Sequence, residues 1–363
     1  MKHIVMFIAA LSSGGAEHQI TILAELLAQK GYIIDLITYS DVSDHYNVSD
    51  RVNRIRIKQG KSTFSKLFGI FKCMLTKKMD CVISFGSRDN MLVLIPLIFR
   101  PLIPVIVGER CVTFNGLKWY QKINYKILYK RAKYIVPNSY CQMNDIVNLE
   151  PSYKKKTVVI TNFTDTSLYC VADSPKNPII EIGIFGRYTP QKNYERFAKA
   201  LQILKEKTDV GFHFSWYGSK SIANRPNQYY LHFEKLVHEY HIDDVLTLED
   251  HTSNVAQLIS TFDGMCLPSI VEGFSNSLSE YICCGKPVVC SDVADNSIMV
   301  HDQVNGLLFD PLNITDMVNV LKKFIELPSS ERELMGSRSR EIAENLFDSD
   351  CFISKYIQLI ENE

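Results

Sequence analysis

The sequence predicts an α/β protein built from two doubly wound, Rossmann-like domains, and three features predict it: the length, a repeated β-loop-α rhythm, and a single break in that rhythm. At 363 residues the chain exceeds one ordinary core and suits two domains of about 150 to 200 residues. A content of 46% hydrophobic and 22% charged residues is that of a soluble globular protein with apolar mass for two interiors, which excludes a disordered chain.

The first half opens with an apolar strand (His3 to Ala9), a glycine-containing loop, an amphipathic helix (Ala16 to Lys30), then Gly31 and a second apolar strand (Ile33 to Tyr39). Further strands are expected at Cys81 to Phe85, Pro104 to Gly108, Tyr134 to Pro137 and Thr157 to Ile160, with helices between them, giving a parallel, helix-covered sheet. The rhythm breaks between Asn162 and Pro178, where Pro175 and Pro178 fall in a polar segment. It restarts with strands at Ile180 to Phe185, Phe212 to Tyr217, Val245 to Leu248, Gly264 to Leu267 and Pro287 to Cys290, alternating with helices at Tyr194 to Lys207, Gln228 to Tyr240, Val255 to Thr261 and Asn276 to Cys284. The expected domains are therefore residues 1–165 and 166–345. From Ser329 the tail reads as helix, and residues 346–363 are expected to pack back on the first domain.

Composition narrows the function classes. Cysteines are scattered without metal-ligand spacing and read as buried thiols. The apolar run Ile4 to Leu11 is only strand length, so a cytoplasmic protein is expected. Met91 to Val107 is interrupted by Pro96, Arg100, Pro101 and Pro104, which suits a buried helix and strand better than a membrane span. The net charge of zero hides a split: residues 1–160 carry 23 Lys+Arg against 11 Asp+Glu, and the remainder carries 17 against 29. The basic half suits an anionic membrane surface or a phosphate-bearing acceptor; two solvated halves that attract each other would show the same split. Within the basic half, Phe64, Leu67, Phe68, Phe71, Met74 and Leu75 form a stripe bordered by Lys66, Lys72, Lys77 and Lys78. Lys118, Lys122, Lys126 and Lys130 recur every fourth residue among Trp119, Tyr120, Tyr125 and Tyr129. Such helices suit a lipid interface, or pack on their own sheet with a basic solvated face.

Three segments carry chemistry. Ser12-Ser13-Gly14-Gly15-Ala16-Glu17 lies where strand hands over to helix, so Gly14 and Gly15 allow close backbone approach and the helix start favours an anion. It lacks the Gly-x-Gly-x-x-Gly spacing of dinucleotide oxidoreductases. Gly186-Arg187-Tyr188-Thr189-Pro190-Gln191-Lys192-Asn193 puts Arg187 and Lys192 at the carboxyl edge of the second sheet. Two cations there suit a diphosphate and the charge that grows on it as a leaving group; structural ion pairing is the alternative. Glu272-Gly273-Phe274-Ser275-Asn276-Ser277-Leu278-Ser279-Glu280 runs from a strand end into a helix. Its carboxylates suit adjacent sugar or ribose hydroxyls, Gly273 permits backbone approach, and the N–H groups at Phe274, Ser275, Asn276 and Ser277 face phosphate oxygens. The only Asp-x-Asp triplet, Asp348-Ser349-Asp350, lies in the tail and reads as helix capping, so no metal is expected.

Together these segments resemble the retaining GT-B glycosyltransferases of family four over nearly the whole chain. Cys284-Gly285-Lys286-Pro287-Val288-Val289 and Asn305-Gly306-Leu307-Leu308 add to the resemblance. It implies two Rossmann-like domains facing each other across a cleft, with Arg187 and Lys192 on the donor diphosphate, Glu272 on the transferred hexose, Glu280 on the ribose, and Gly15 approaching the phosphate from the other domain. Many relatives carry a first-domain histidine where this chain has Glu109-Arg110-Cys111, similar to a Ser-Glu-Arg-Asn version in bacterial glycan assembly, so Glu109 and Arg110 are the acceptor-side candidates. The loop Glu249-Asp250-His251-Thr252-Ser253-Asn254 lacks the glycine usual near the base. The implied activity is α-glycosyl transfer from a UDP-sugar, without a cofactor, to a glycan or polyprenyl-diphosphate-linked acceptor at the cytoplasmic membrane face. A nucleotide-sugar 2-epimerase and a non-catalytic nucleotide-sugar-binding partner remain as alternatives.

Overall fold

Short runs of Val, Ile, Leu and Phe buried on both faces form parallel strands, because only helices on either side shield them from water. The computed structural model describes residues 1–12, 14–57, 63–110, 116–171, 178–222 and 225–362. The chain divides into two units, Met1–Phe163 with Ser349–Glu363, and Thr164–Asp348. Each contains a six-stranded parallel sheet, the GT-B pairing of two Rossmann-like folds.

The first unit runs β1 (His3–Phe7), α1 (Gly15–Gln29), β2 (Ile33–Thr38), β3 (Val52–Arg56), α2 (Thr63–Thr76), β4 (Cys81–Phe85), α3 (Ser87–Leu97), β5 (Val105–Glu109), α4 (Trp119–Lys126), β6 (Tyr134–Pro137) and α5 (Tyr140–Leu149). Its strand order is β3-β2-β1-β4-β5-β6, reversing direction between β1 and β4. Parallel crossovers are right-handed, so α2, α3 and α4, which all step toward β6, cover one face while α1 covers the other. Ile70, Met74, Val93, Leu94, Leu97, Tyr125 and Tyr129 fill the core under that helical layer.

Three local differences from the sequence reading have physical causes. β3, VNRIR, is an edge strand whose exposed positions are polar, so it carries no continuous apolar signal. The strand expected at Thr157 to Ile160 forms only an isolated bridge, Thr157 with Ile135. Val158 N–H donates to the Ile135 carbonyl and Ile160 N–H to that of Pro137, but the next rung needs an N–H from residue 137, and proline has none. The lysine-spaced segment ends as α-helix at Lys126, and Leu128–Lys130 continues as one 3-10 turn.

The second unit runs β7 (Ile180–Phe185), α6 (Tyr194–Lys205), β8 (Phe212–Tyr217), a short hairpin β9 (Ser221–Ile222) and β10 (Arg225–Pro226), α7 (Gln228–Glu239), β11 (Leu246–Glu249), α8 (Val255–Ser260), β12 (Gly264–Leu267), α9 (Asn276–Cys283), β13 (Val288–Ser291), α10 (Asn296–Met299), β14 (Gly306–Phe309), α11 (Ile314–Glu326) and α12 (Ser329–Leu346). The order β11-β8-β7-β12-β13-β14 reverses between β7 and β12. α13 (Ser349–Glu361) returns to the first unit, where Tyr356 meets Arg110, Phe352 packs on Phe163, and Asp350 pairs with Lys30 at 2.7 Å.

Several motif residues hold this second sheet together. Lys286 is buried and donates to the carbonyls of Ser260 (3.0 Å) and Phe262 (2.8 Å). Asn305 accepts from His301 N–H and donates to the Met299 carbonyl. Gly306 pairs with Val288, and a Cβ there would lie 2.1 Å from the Val288 carbonyl oxygen, a backbone atom that cannot move aside. Gly306→Ala is therefore expected to destabilise the second unit by about 1–3 kcal/mol or more. Thermal unfolding should show a lowered transition for that unit, with the first unit's transition unchanged.

Candidate functional site

Ligands of doubly wound sheets lie at the carboxyl edge where strand order reverses. In the second unit that edge is formed by the loops after the neighbouring strands β7 and β12. After β7 the chain passes Gly186 and Arg187, makes one 3-10 turn over Pro190–Lys192, and enters α6 through Asn193 in the left-handed conformation at φ 62°. The Asn193 amide fixes that elbow by donating to the Pro311 carbonyl at 2.8 Å. After β12 the chain runs through Pro268, Ser269 and Glu272 to Ser275, which caps α9 by accepting from Leu278 N–H at 3.4 Å.

Two hydrogen bonds tie these loops together. The Gln191 side chain donates to the Val271 carbonyl, and Ile270 N–H donates to the Gln191 carbonyl, both at 2.9 Å. They set Lys192 against Glu272, whose Nζ and Oε1 lie 2.6 Å apart with side chains only 11% and 9% exposed. Gly186 leaves room for this, since a Cβ there would come within 3.3 Å of the Lys192 stem. Arg187, on the same loop, is exposed, and no described residue pairs with its guanidinium. Ser277 Oγ donates to the Phe185 carbonyl at 3.0 Å, pinning α9 to the end of β7. Phe274 is buried against Phe347, so its ring serves packing, and Gly273 links it to Glu272. Asn276 is the first residue of α9.

Glu280 lies further along α9, where burial pushes its carboxyl up to about 7 while a hydrogen bond with Tyr169 pulls it down. It is set apart from the Lys192–Glu272 pair by its own partner. Two buried groups at this edge escaped the sequence reading: Ser269 Oγ and Asn296 Oδ1 have no hydrogen-bond partner among the described residues. Buried polar atoms are rarely left so. Ser269 stands three residues before Glu272, a position that spacing alone could have flagged.

The corresponding edge of the first unit is occupied by carboxylates. Gly14 caps α1 in an extended conformation and Gly15 begins the helix, as the anion-binding reading requires. However, the Glu17 carboxylate folds back over Gly14 so closely that a Cβ there would meet Glu17 Oε2 at 2.1 Å. Ser12 Oγ donates to Glu17 at 3.2 Å. Ser13 lies outside the described residues. Asp89, which follows the neighbouring strand β4, accepts from Ala9 N–H (2.9 Å) and Tyr39 OH (2.6 Å), and burial pushes it up to about 6.

The acceptor-side candidates turn inward. Glu109 is 0% exposed and accepts from Ser87 Oγ, Asn90 and Tyr129 OH. Arg110 donates to the Ile160 carbonyl and Tyr356 OH, with its guanidinium over the Phe85 ring. Both side chains organise the end of β5, Glu109 fully enclosed and Arg110 half-buried; Cys111 lies outside the described residues. Asp350 is engaged by Lys30 at the far end of α1, on the opposite edge from the strand carboxyl ends.

Burial pushes the Glu109 carboxyl up to about 7, against the pull of Ser87 and Asn90. A folded-state value raised above the unfolded one means a stabilising contribution that is complete below the unfolded value and lost as pH rises through about 7. Glu109→Gln removes that loss, which is on the order of 3 kcal/mol. The expected result is that the first unit's melting temperature falls between pH 5 and about 8 in the parent protein and falls less steeply in the variant, where Asp89, pushed up to about 6, still contributes a slope of the same sign.

Comparison with known proteins bears on the fold and the family. The chain is 25% identical over 350 residues, covering 90% of its own length and 91% of the relative's, to the N-acetylgalactosamine-N,N'-diacetylbacillosaminyl-diphospho-undecaprenol 4-alpha-N-acetylgalactosaminyltransferase of Campylobacter jejuni. Among solved structures it superposes on sucrose-phosphate synthase from Thermosynechococcus elongatus with a TM-score of 0.82, 18% identity and 99% and 98% coverage of the two chains. On HepE of Anabaena, solved with UDP and glucose, the TM-score is 0.80, with 16% identity and 99% of each chain covered. These likenesses establish the GT-B fold, and residues 172–342, which carry the Arg187, Lys192, Glu272 and Glu280 loops, match the family Glycosyl transferases group 1.

Proposed function

We propose that the chain is a retaining α-glycosyltransferase that moves a hexose or N-acetylhexosamine from a UDP-sugar to a glycan or polyprenyl-diphosphate-linked acceptor, in cell-surface polysaccharide assembly. The observation that carries this reading is the Lys192–Glu272 pair at the reversal point of the second sheet, with Arg187 on the same loop. The name of the Campylobacter jejuni relative, a transferase acting on a diphospho-undecaprenol glycan, supports the acceptor class. The presence of UDP and glucose in the Anabaena structure supports the donor class.

In the proposed reaction the bond between the sugar C1 and the diphosphate oxygen breaks, and its electron pair goes to the diphosphate. Arg187 and Lys192 oppose the charge that grows there, so the role a divalent ion plays in other transferases falls to two side chains and no metal is needed. A unit charge about 4 Å from a unit charge is worth about 4 kcal/mol at a protein-surface dielectric, enough to matter in a barrier. Glu272, released from Lys192 when the diphosphate arrives, accepts hydrogen bonds from the sugar hydroxyls, and Glu280 takes the ribose. The acceptor hydroxyl oxygen bonds to C1, and its proton passes to the departing diphosphate oxygen. No helix among the described residues is long and apolar enough to cross a membrane. The proposed location is therefore peripheral, on the cytoplasmic face, with the basic first unit toward anionic lipid.

Incubation with UDP-sugars and a polyprenyl-diphosphate glycan should release UDP from at least one donor. Lys192→Ala should lower kcat by about 10²–10³-fold, the cost of removing a group that stabilises transition-state charge, and Glu272→Ala should lower it as well. No UDP from any donor, or full turnover in both variants, overturns the reading.

A further inference from the structure

The helical layer α2–α4 of the first unit has two apolar faces, and only one is used. Ile70 and Met74, Val93, Leu94 and Leu97, and Tyr125 and Tyr129 point into the core. On the outside, Phe64, Phe68, Phe99, Leu102, Trp119 and Ile127 are each between 60% and 93% exposed. Phe64, Phe68 and Phe71 recur at helical spacing on one face of α2, and Phe71 meets Phe99 with ring centroids 6.1 Å apart. Trp119, Ile123 and Ile127 recur every fourth residue along α4 and its C-cap. A helix apolar on a second face expects a second partner.

The turn that presents Phe99 and Leu102 is held firmly. Arg100 donates to the carbonyls of Met74 (3.0 Å) and Lys77 (2.8 Å), while Arg131 donates to those of Leu97, Arg100 and Ile103 at 2.7–3.0 Å. Two guanidiniums thus clamp apolar tips into solvent, where collapse onto the core would otherwise hide them.

Charge identifies the partner. No Asp or Glu occurs between Arg51 and Met79, and between Asn90 and Asn144 the only one is Glu109, which is fully buried. The charges around the exposed aromatics are Lys72, Lys78, Lys118, Lys122, Lys126 and Lys130, all at the surface. A second copy of the chain would set these lysines against their own counterparts, which repel. An anionic bilayer takes both features at once, apolar tips among the acyl chains and ammonium groups at the headgroups. We propose that this face, led by Phe68 and Phe99, inserts shallowly into an anionic phospholipid bilayer. The inference rests on the reading of the first unit as membrane-facing and replaces charge attraction alone with insertion of named side chains.

The test is co-sedimentation of the full chain, without donor, with phosphatidylglycerol or phosphatidylcholine vesicles at physiological salt. The parent protein should partition onto phosphatidylglycerol at least about tenfold more strongly than onto phosphatidylcholine. F68S/F99S should lose about tenfold or more of that binding with every lysine in place, and K122E/K126E should lose the preference for the anionic lipid. Both variants should melt as the parent does, since the altered side chains are exposed. Three results overturn the proposal: no binding of the parent to phosphatidylglycerol, F68S/F99S binding as the parent does, or a parent dimer in light scattering that F68S/F99S splits into monomers. UDP release onto a water-soluble acceptor separates the two readings. Turnover without vesicle binding defeats this surface alone, and vesicle binding without turnover defeats the transferase reading alone.

Discussion

The Lys192–Glu272 ion pair joins the loops of two neighbouring strands at the point where the second sheet changes direction. Coulomb attraction across 2.6 Å is offset by the cost of drawing both groups out of water, so stability alone is a poor account of the pair. Its geometry is set by neutral groups: the Gln191 side chain on the Val271 carbonyl, the Gln191 carbonyl on Ile270 N–H, and Asn193 holding a left-handed elbow. Remove those, and a lysine and a glutamate eighty positions apart in the chain have no reason to meet. The pair holds two opposite charges at one point, each satisfied by the other.

The two reversal points share a topology and differ in the charged groups that stand there. In the second unit an exposed guanidinium and a nearly buried ammonium stand at the edge. In the first, Glu17 covers Gly14, and Asp89 and Glu109 are buried, with carboxyl groups pushed up to about 6 and about 7. Carboxyl groups engaged by neighbouring donors in this way supply no attraction to an anion. Positive charge is present at that edge too, since the exposed Arg88 lies in the first turn of α3, directly after β4, and acts on Asp89, while further lysines lie on and beside α2 and α4.

Much of this was legible in the sequence wherever burial is two-sided. β1, β2, β4, β5 and β6 are nearly continuous apolar runs, as are β7, β12 and β13, and the loops after β7 and β12 stood out because Arg, Lys and Glu interrupt that rhythm beside glycine. β3 was not legible, because an edge strand alternates apolar with polar residues over too short a span. The interruption at Thr157 to Ile160 depends on a missing N–H at Pro137, twenty residues upstream, which a local pattern cannot weigh. Lys286 and Asn305 were noted as part of a resemblance, and the structure shows why such residues are needed: each satisfies buried backbone groups. Glu109 and Arg110 were singled out by the resemblance, and their hydrogen bonds were not legible, because partners such as Tyr129 and Tyr356 are brought to them by the fold and not by sequence spacing.

The central claim is that Glu272 and a diphosphate compete for the same ammonium group. Calorimetric titration of Glu272→Gln with UDP and with the UDP-sugar that turns over tests it most directly. The account predicts that plain UDP binds the variant at least as tightly as the parent, because Lys192 no longer has a competing carboxylate, while the extra affinity that the sugar confers over UDP is lost. Weaker UDP binding with the sugar's contribution intact would contradict it, and would mean that Glu272 positions Lys192 and never touches the carbohydrate.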